Sequence, residues 1–180
     1  LAPKRIDVGS VATLRLNYAS GIVATEDGSV FYWPARSTYY SHEMAEVSGR
    51  AVEVASGGTT NSFHWCARVV NATIECWGYN GYGQLGDSTT TARTMPVRVQ
   101  GLPGNATGLD CGQNYYCCAI VNASVWCWGA NSYGTLGDST GSTRYTPVEV
   151  VGLREPVDVT PSATNPRISA GQYHTCVVLE

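Results

Sequence analysis

His64-Trp65-Cys66-Ala67-Arg68-Val69-Val70-Asn71-Ala72-Thr73-Ile74-Glu75-Cys76-Trp77-Gly78 returns 51 residues later as Tyr115-Tyr116-Cys117-Cys118-Ala119-Ile120-Val121-Asn122-Ala123-Ser124-Val125-Trp126-Cys127-Trp128-Gly129. Each copy is two short runs rich in aromatic and β-branched residues, split at Asn-Ala, and reads as a β-hairpin. The echo runs on without a gap through Asn80/Asn131, Gly83/Gly134, Leu85-Gly86-Asp87/Leu136-Gly137-Asp138 and Arg93/Arg144 to Gly101-Leu102/Gly152-Leu153. A fixed period of this size means a repeat architecture, so each residue is read against its repeat mates.

An earlier, degenerate copy is Gly21–Glu26, a turn at Asp27-Gly28, and Ser29–Trp33. Asp-Gly is a strong hairpin signal. After each hairpin of the close pair comes a glycine-rich loop (80–87 or 131–138), then a proline-led β-branched run, Pro96–Val99 or Pro147–Val151. No segment carries a sustained apolar stripe of helical period, so the chain is expected to be all-β. The repeats divide it at about 9–57, 58–112, 113–171 and the start of another at 172–180. Eight extra residues, Val159–Pro166, lengthen the third repeat as a polar surface loop.

Charged residues make up only 14% of 180 and the net charge is -3. Lys4 is the single lysine and the arginines are scattered, so no basic stripe tracks a phosphate backbone, and nucleic acid is not an expected partner. No apolar run is long enough to span a membrane as a helix.

Seven cysteines are present. Cys66 and Cys76 flank the Asn71-Ala72 turn, and Cys117 and Cys127 flank Asn122-Ala123, so each pair is expected to form a cross-strand disulfide. The degenerate hairpin carries Ile22 and Tyr32 at these positions, which marks a stapling site and argues against a metal or redox centre. Cys117-Cys118 lacks zinc-ligand spacing and has no second such pair, so no metal is expected. Cys111 and Cys118 have no repeat mates, and a local bridge between them is plausible. Cys176 calls for a partner about ten residues on, past Glu180.

The motif Cys-Trp-Gly-x-Asn-x-x-Gly-x-Leu-Gly-Asp-Ser-Thr, followed by Pro-Val-x-Val-x-Gly-Leu and Gly-Gln-Tyr-His-Thr-Cys, resembles the repeats of the regulator of chromosome condensation family. The resemblance covers about residues 19–180, strongly over 62–153, and weakly in the first repeat, where Trp33-Pro34 replaces Trp-Gly. It implies β-propeller blades of four antiparallel strands, here three repeats and part of a fourth, in a cysteine-containing, secreted variant. On that reading Trp77 and Trp128 wedge between blades. Gly78, Gly129, Gly86 and Gly137 belong to the structural repeat, the last two in tight loops, and Asp87 and Asp138 cap the amides that follow them.

Catalysis finds little support. His64 and His174 share a repeat slot with Tyr115, so the slot wants a polar ring and not a base. His42 lies in the irregular first repeat beside Glu43 and Glu46 and reads as solvated. One carboxylate per loop is too few for calcium. No catalytic residue and no cofactor is expected. Three N-glycosylation sequons begin at Asn71, Asn105 and Asn122, two of them at the hairpin turns where the family usually shows Asp-Gly. With the paired cysteines they point to the secretory pathway and to N-linked glycans.

The expected function is a non-enzymatic extracellular or cell-surface module that contacts other proteins or copies of itself, in adhesion or structural assembly. Two alternatives stand beside it. One is the intracellular guanine-nucleotide exchange of the family's namesake, which wants a reducing compartment and a basic element. The other is a secreted propeller-type protein inhibitor.

Overall fold

Among the described residues three hairpins are each extended to a four-stranded antiparallel sheet by one strand on either side. The computed structural model describes residues 10–16, 20–33, 43–59, 62–153, 156–157 and 168–178. His42, Pro34 and the 159–166 insertion lie outside these. The first sheet holds β1 (Val11–Leu16), β2 (Gly21–Thr25), β3 (Val30–Trp33) and β4 (Glu43–Ala45) in that order. The second holds β5 (Ala51–Gly57), β6 (His64–Val69), β7 (Ile74–Gly78) and β8 (Arg93–Arg98). The third holds β9 (Ala106–Gly112), β10 (Tyr116–Val121), β11 (Ser124–Gly129) and β12 (Arg144–Glu149). A final pair, β13 (Ile168–Ala170) and β14 (Thr175–Val177), starts another sheet. No helix long and apolar enough to cross a membrane occurs among the described residues.

These are propeller blades. Consecutive sheets face one another, with β5 against β9 and β9 against β13, while β8 and β12 are only partly buried and form the outer rim. One backbone link recurs at every step. The amide of Ala51 donates to the Gly28 carbonyl, Ala106 to Ala72, and Val157 to Ala123. The accepting residue always closes a hairpin turn with positive φ: 89° at Gly28, 63° at Ala72 and 61° at Ala123. The turn therefore both reverses the hairpin and docks the next blade.

The hairpins differ by one residue, which changes the face of a whole strand. In the first two sheets three residues form the loop. Thr25 N bonds Ser29 O at 3.0 Å around Glu26-Asp27-Gly28, and Val69 N bonds Thr73 O at 3.0 Å around Val70-Asn71-Ala72. The third hairpin closes with two residues, Val121 opposite Ser124, with Asn122 at φ 52° and Ala123 at 61°, both left-handed as a type I′ turn requires. With identical sequence spacing on both sides of the turn, the shorter loop slides β10 by one position relative to β6. Because side chains alternate, the slide turns every β10 residue to the opposite face.

That slip corrects the expected disulfides. Cys66 faces Cys76 across β6–β7, and the two are bonded with Cα atoms 4.1 Å apart. In the third sheet Cys127 faces Cys118 and not Cys117, and the bond is Cys118–Cys127. Cys117 faces Cys111 on the other neighbouring strand, and the bond is Cys111–Cys117. Neither the expected Cys117–Cys127 pair nor the Cys111–Cys118 pair forms. Register also re-matches the repeats, so that Cys66 corresponds to Cys118 and to Cys176, while Trp65 corresponds to Cys117. Cys176 is an exposed free thiol opposite Ser169.

Candidate functional site

The blades present two chemically distinct ends. At the turn end lie the three sequons. Asn71, Asn105 and Asn122 are all exposed. Ala106, one residue past Asn105, is bonded to Ala72, and the Asn122 side chain lies against Gly104, so the three asparagines share one rim. Asn71 Oδ1 accepts from the Thr73 amide at 3.0 Å and from its hydroxyl at 2.7 Å.

The opposite end is made by the glycine-rich loops and the connections after β5, β9 and β13. Asn80, fully buried, fastens the first loop from inside: its amide nitrogen donates to Asp87 Oδ1 and to the Thr89 and Thr91 carbonyls, each at 3.1 Å, and its oxygen accepts from Leu85 N. Asp87 accepts from the Thr89 amide at 3.1 Å and hydroxyl at 2.7 Å, and pairs with Arg93 at 2.8 Å. Asn131, Asp138, Thr140 and Arg144 repeat the set, with the ion pair at 2.6 Å. Burial raises both carboxyls, but the threonine and arginine hydrogen bonds outweigh it and hold them below the usual carboxylate range. The aspartates are thus occupied in holding loop shape and leave no acceptors converging on a cation.

Gly86 shows what that shape serves. A Cβ there would come within 3.0 Å of the Trp128 ring, whose indole nitrogen donates to the Gln84 carbonyl at 2.9 Å. The loop of one blade thereby seats the tryptophan of the next. Gly137 is closed in the same way by Val150 at 2.9 Å, and Cβ atoms on Gly78 and Gly129 would strike the Phe63 and Tyr115 carbonyls at 2.5 and 2.3 Å.

On this platform tyrosines gather. Tyr82 stacks on Tyr115 with centroids 5.1 Å apart, Tyr79 meets both edge-on at 6.3 and 5.7 Å, and Tyr133 tilts against Tyr173 at 4.7 Å. Tyr82, Tyr133 and Tyr173 are exposed. Tyr115 has left the slot expected for it: at φ 60° it turns outward, and Tyr116 takes the place opposite Gly129 that His64 holds opposite Gly78. Sequence reading missed this tyrosine face because its members sit in loops at positions that the repeat does not constrain.

Between the second and third blades lies a buried sulfur cluster. Cys66 Sγ is 3.7 Å from Cys117 Sγ and 3.7 Å from Cys111 Sγ, so the two disulfides touch across the interface. The His64 ring joins them: one of its nitrogens and the sulfurs of Cys111 and Cys117 lie within 4.8 Å of one another. His64 is fully buried, and burial pushes its pKa down to about 3 despite the nearby Tyr116 backbone. Neither ring nitrogen makes a well-aligned hydrogen bond among the described residues, and the Tyr116 backbone is only a weak partner.

Comparison with known proteins bears on the scaffold. A profile of the "Regulator of chromosome condensation (RCC1) repeat" matches residues 76–119 and 122–178, more than half of the chain. The chain is 33% identical over 88 residues to the E3 ubiquitin-protein ligase MYCBP2 of Danio rerio, covering 49% of this chain and 2% of that one. It is 26% identical over 169 residues to the mitochondrial RCC1 domain-containing protein RUG3 of Arabidopsis thaliana, covering 86% of this chain and 37% of the relative. It thus spans well under half the length of either. Yeast RCC1 (Prp20), in a crystal structure with Kap60, superposes with a TM-score of 0.72 at 18% identity, over 94% of this chain and 40% of that one. At that identity the likeness is one of fold.

Proposed function

Because the chain belongs to the regulator of chromosome condensation (RCC1) repeat family, we propose that it serves as a non-enzymatic propeller module for protein–protein contact on the extracellular side of the secretory pathway. The observation that carries this reading is the separation of the two ends. Clustered tyrosines line the loop end, where large amphipathic rings supply contact area at little entropic cost. All three sequons stand on the other rim, where glycans leave the tyrosines uncovered. The occupant of the loop end is a protein surface, another copy of this chain included.

Expression in a eukaryotic secretory host tests the compartment. Intact mass is expected to fall on glycosidase treatment and to rise by the hydrogens of three disulfides on reduction. Unmodified asparagines together with free thiols at the six paired cysteines would sink the extracellular reading. Self-contact is read by sedimentation velocity, where Tyr82→Ser with Tyr133→Ser should weaken any association.

Membership of the RCC1 repeat family supports a second reading, nucleotide exchange on a small GTPase inside the cell. Faster release of labelled GDP from a small GTPase on addition of the chain would favour it.

A further inference from the structure

We propose that the sulfur cluster between the second and third blades is a redox-gated zinc site, with Cys66, Cys111, Cys117 and His64 as its ligands once the disulfides are reduced. The inference rests on the interface alone and not on the extracellular reading.

Three observations converge. The first is spacing. A tetrahedral zinc with Zn–S bonds of about 2.3 Å places its sulfurs about 3.8 Å apart, and Cys66 Sγ already stands 3.7 Å from both Cys111 Sγ and Cys117 Sγ. Reduction opens the bonded Cys111–Cys117 edge and frees Cys66 from Cys76, and the His64 ring then closes on Cys66, which stands outside its present group with Cys111 and Cys117. The second is His64. A buried imidazole whose only partner is a weak backbone contact forfeits much of its hydration, and here one of its nitrogens lies within 4.8 Å of two of the sulfurs. Packing of two disulfides accounts for the sulfurs but leaves that ring with only the weak contact of the Tyr116 backbone; a metal gives it a strong partner. The third is enclosure. All four side chains are buried on neighbouring blades, so the blade interface itself fixes their relative positions.

The chemistry balances with a dithiol as the reductant. Each disulfide takes two electrons and two protons and becomes two thiols, while the dithiol is oxidised to its own disulfide. Zinc then displaces one proton from each of Cys66, Cys111 and Cys117 and accepts the neutral imidazole of His64, while Cys76 stays a thiol. Cys118–Cys127 lies on the other face of the third blade and takes no part.

The test uses the whole chain, reduced with a dithiol, freed of reductant without air, and titrated with cobalt(II) and then zinc(II). One equivalent of cobalt is expected, with the ligand-field and thiolate charge-transfer bands of a tetrahedral site, bleached by one equivalent of zinc. Cys111→Ser with Cys117→Ser abolishes the bands. Cys118→Ser with Cys127→Ser and Cys176→Ser keeps them, and His64→Asn shifts them and weakens affinity about tenfold or more. A reduced chain that loses its far-ultraviolet β signal and regains it on adding zinc also supports the site, through metal-coupled folding. A folded reduced chain without the cobalt bands overturns the proposal. So do bands that survive loss of Cys111 and Cys117, or a reduced chain that zinc does not refold.

Discussion

The interface between the first and second blades is aromatic, and the interface between the second and third is sulfur. The first holds Tyr32, Phe63, Trp65 and Trp77, with Trp65 centred 4.7 Å from Tyr32 and 6.5 Å from Trp77. The second holds Cys66, Cys76, Cys111 and Cys117 beside Trp128. By register, Trp65 and Cys117 occupy the same position in successive blades, as do Ser56 and Cys111. One repeat slot thus carries either a large ring that fills the space by dispersion or half of a covalent bridge. The two solutions answer to different variables, packing volume in one case and redox state in the other.

The largest effect is expected where packing alone carries the load. Trp65→Ala should destabilise the chain by about 3–5 kcal/mol, by the same amount with or without reductant, as read from denaturant unfolding. Cys111→Ala with Cys117→Ala should cost about 2 kcal/mol under oxidising conditions, since the bridge closes a short loop, and almost nothing once the parent is reduced. Peptide mapping without reduction checks the premise. A Cys117–Cys127 peptide in place of Cys111–Cys117 and Cys118–Cys127 would break the register and with it the comparison.

That register marks the boundary of what the sequence discloses. The 51-residue echo located the hairpins, the capped loops and the wedge tryptophans, because period, turn chemistry and paired glycines are written locally. It aligned Cys66 with Cys117, and the fold aligns Cys66 with Cys118. Asn71-Ala72 and Asn122-Ala123 have the same letters and the same spacing to their cysteines, yet one closes a three-residue loop and the other a two-residue turn. The choice follows from which face of β10 the neighbouring blades can bury, a property of residues more than forty positions away. The convergence of His64 with Cys111 and Cys117 was hidden for the same reason: ligand spacing along the chain says nothing about sulfurs that meet across blades.

His64 and Tyr116 sharpen the comparison through pH. They are register mates, and only one titrates in the acid range. Burial holds folded His64 near a pKa of about 3, against 6.5 for an unburied histidine. The unfolded chain therefore binds the extra proton first, so stability is complete above about pH 6.5 and falls as pH drops toward about 3. At pH 5 the loss amounts to about 2 kcal/mol from this group alone. His64→Gln should flatten that part of the curve, whereas Tyr116→Phe should leave its slope unchanged. If both variants keep the parental slope between pH 6.5 and 5, His64 does not govern it.

The smallest expected difference is between the two glycine-rich loops, where the blades agree. Asp87 and Asp138 each hold an asparagine, a threonine and an arginine in the same pattern, with ion pairs of 2.8 and 2.6 Å. Asp87→Asn and Asp138→Asn remove the charge while keeping the shape. Each should cost about 1–2 kcal/mol, because hydrogen bonds to a charged acceptor are the stronger ones and their arginine partners remain partly in water. The two costs should agree within about 0.5 kcal/mol, which is the ordinary scatter for independent sites. A larger gap would mean that the loop is coupled to the interface beneath it. The coupling would then run through Gly86, which packs directly on Trp128 at the sulfur-bearing interface, whereas the nearest neighbour of Gly137 is Val150 of its own blade. Asp87→Asn should in that case be the costlier of the two and should become sensitive to reductant, a dependence that Asp138→Asn lacks.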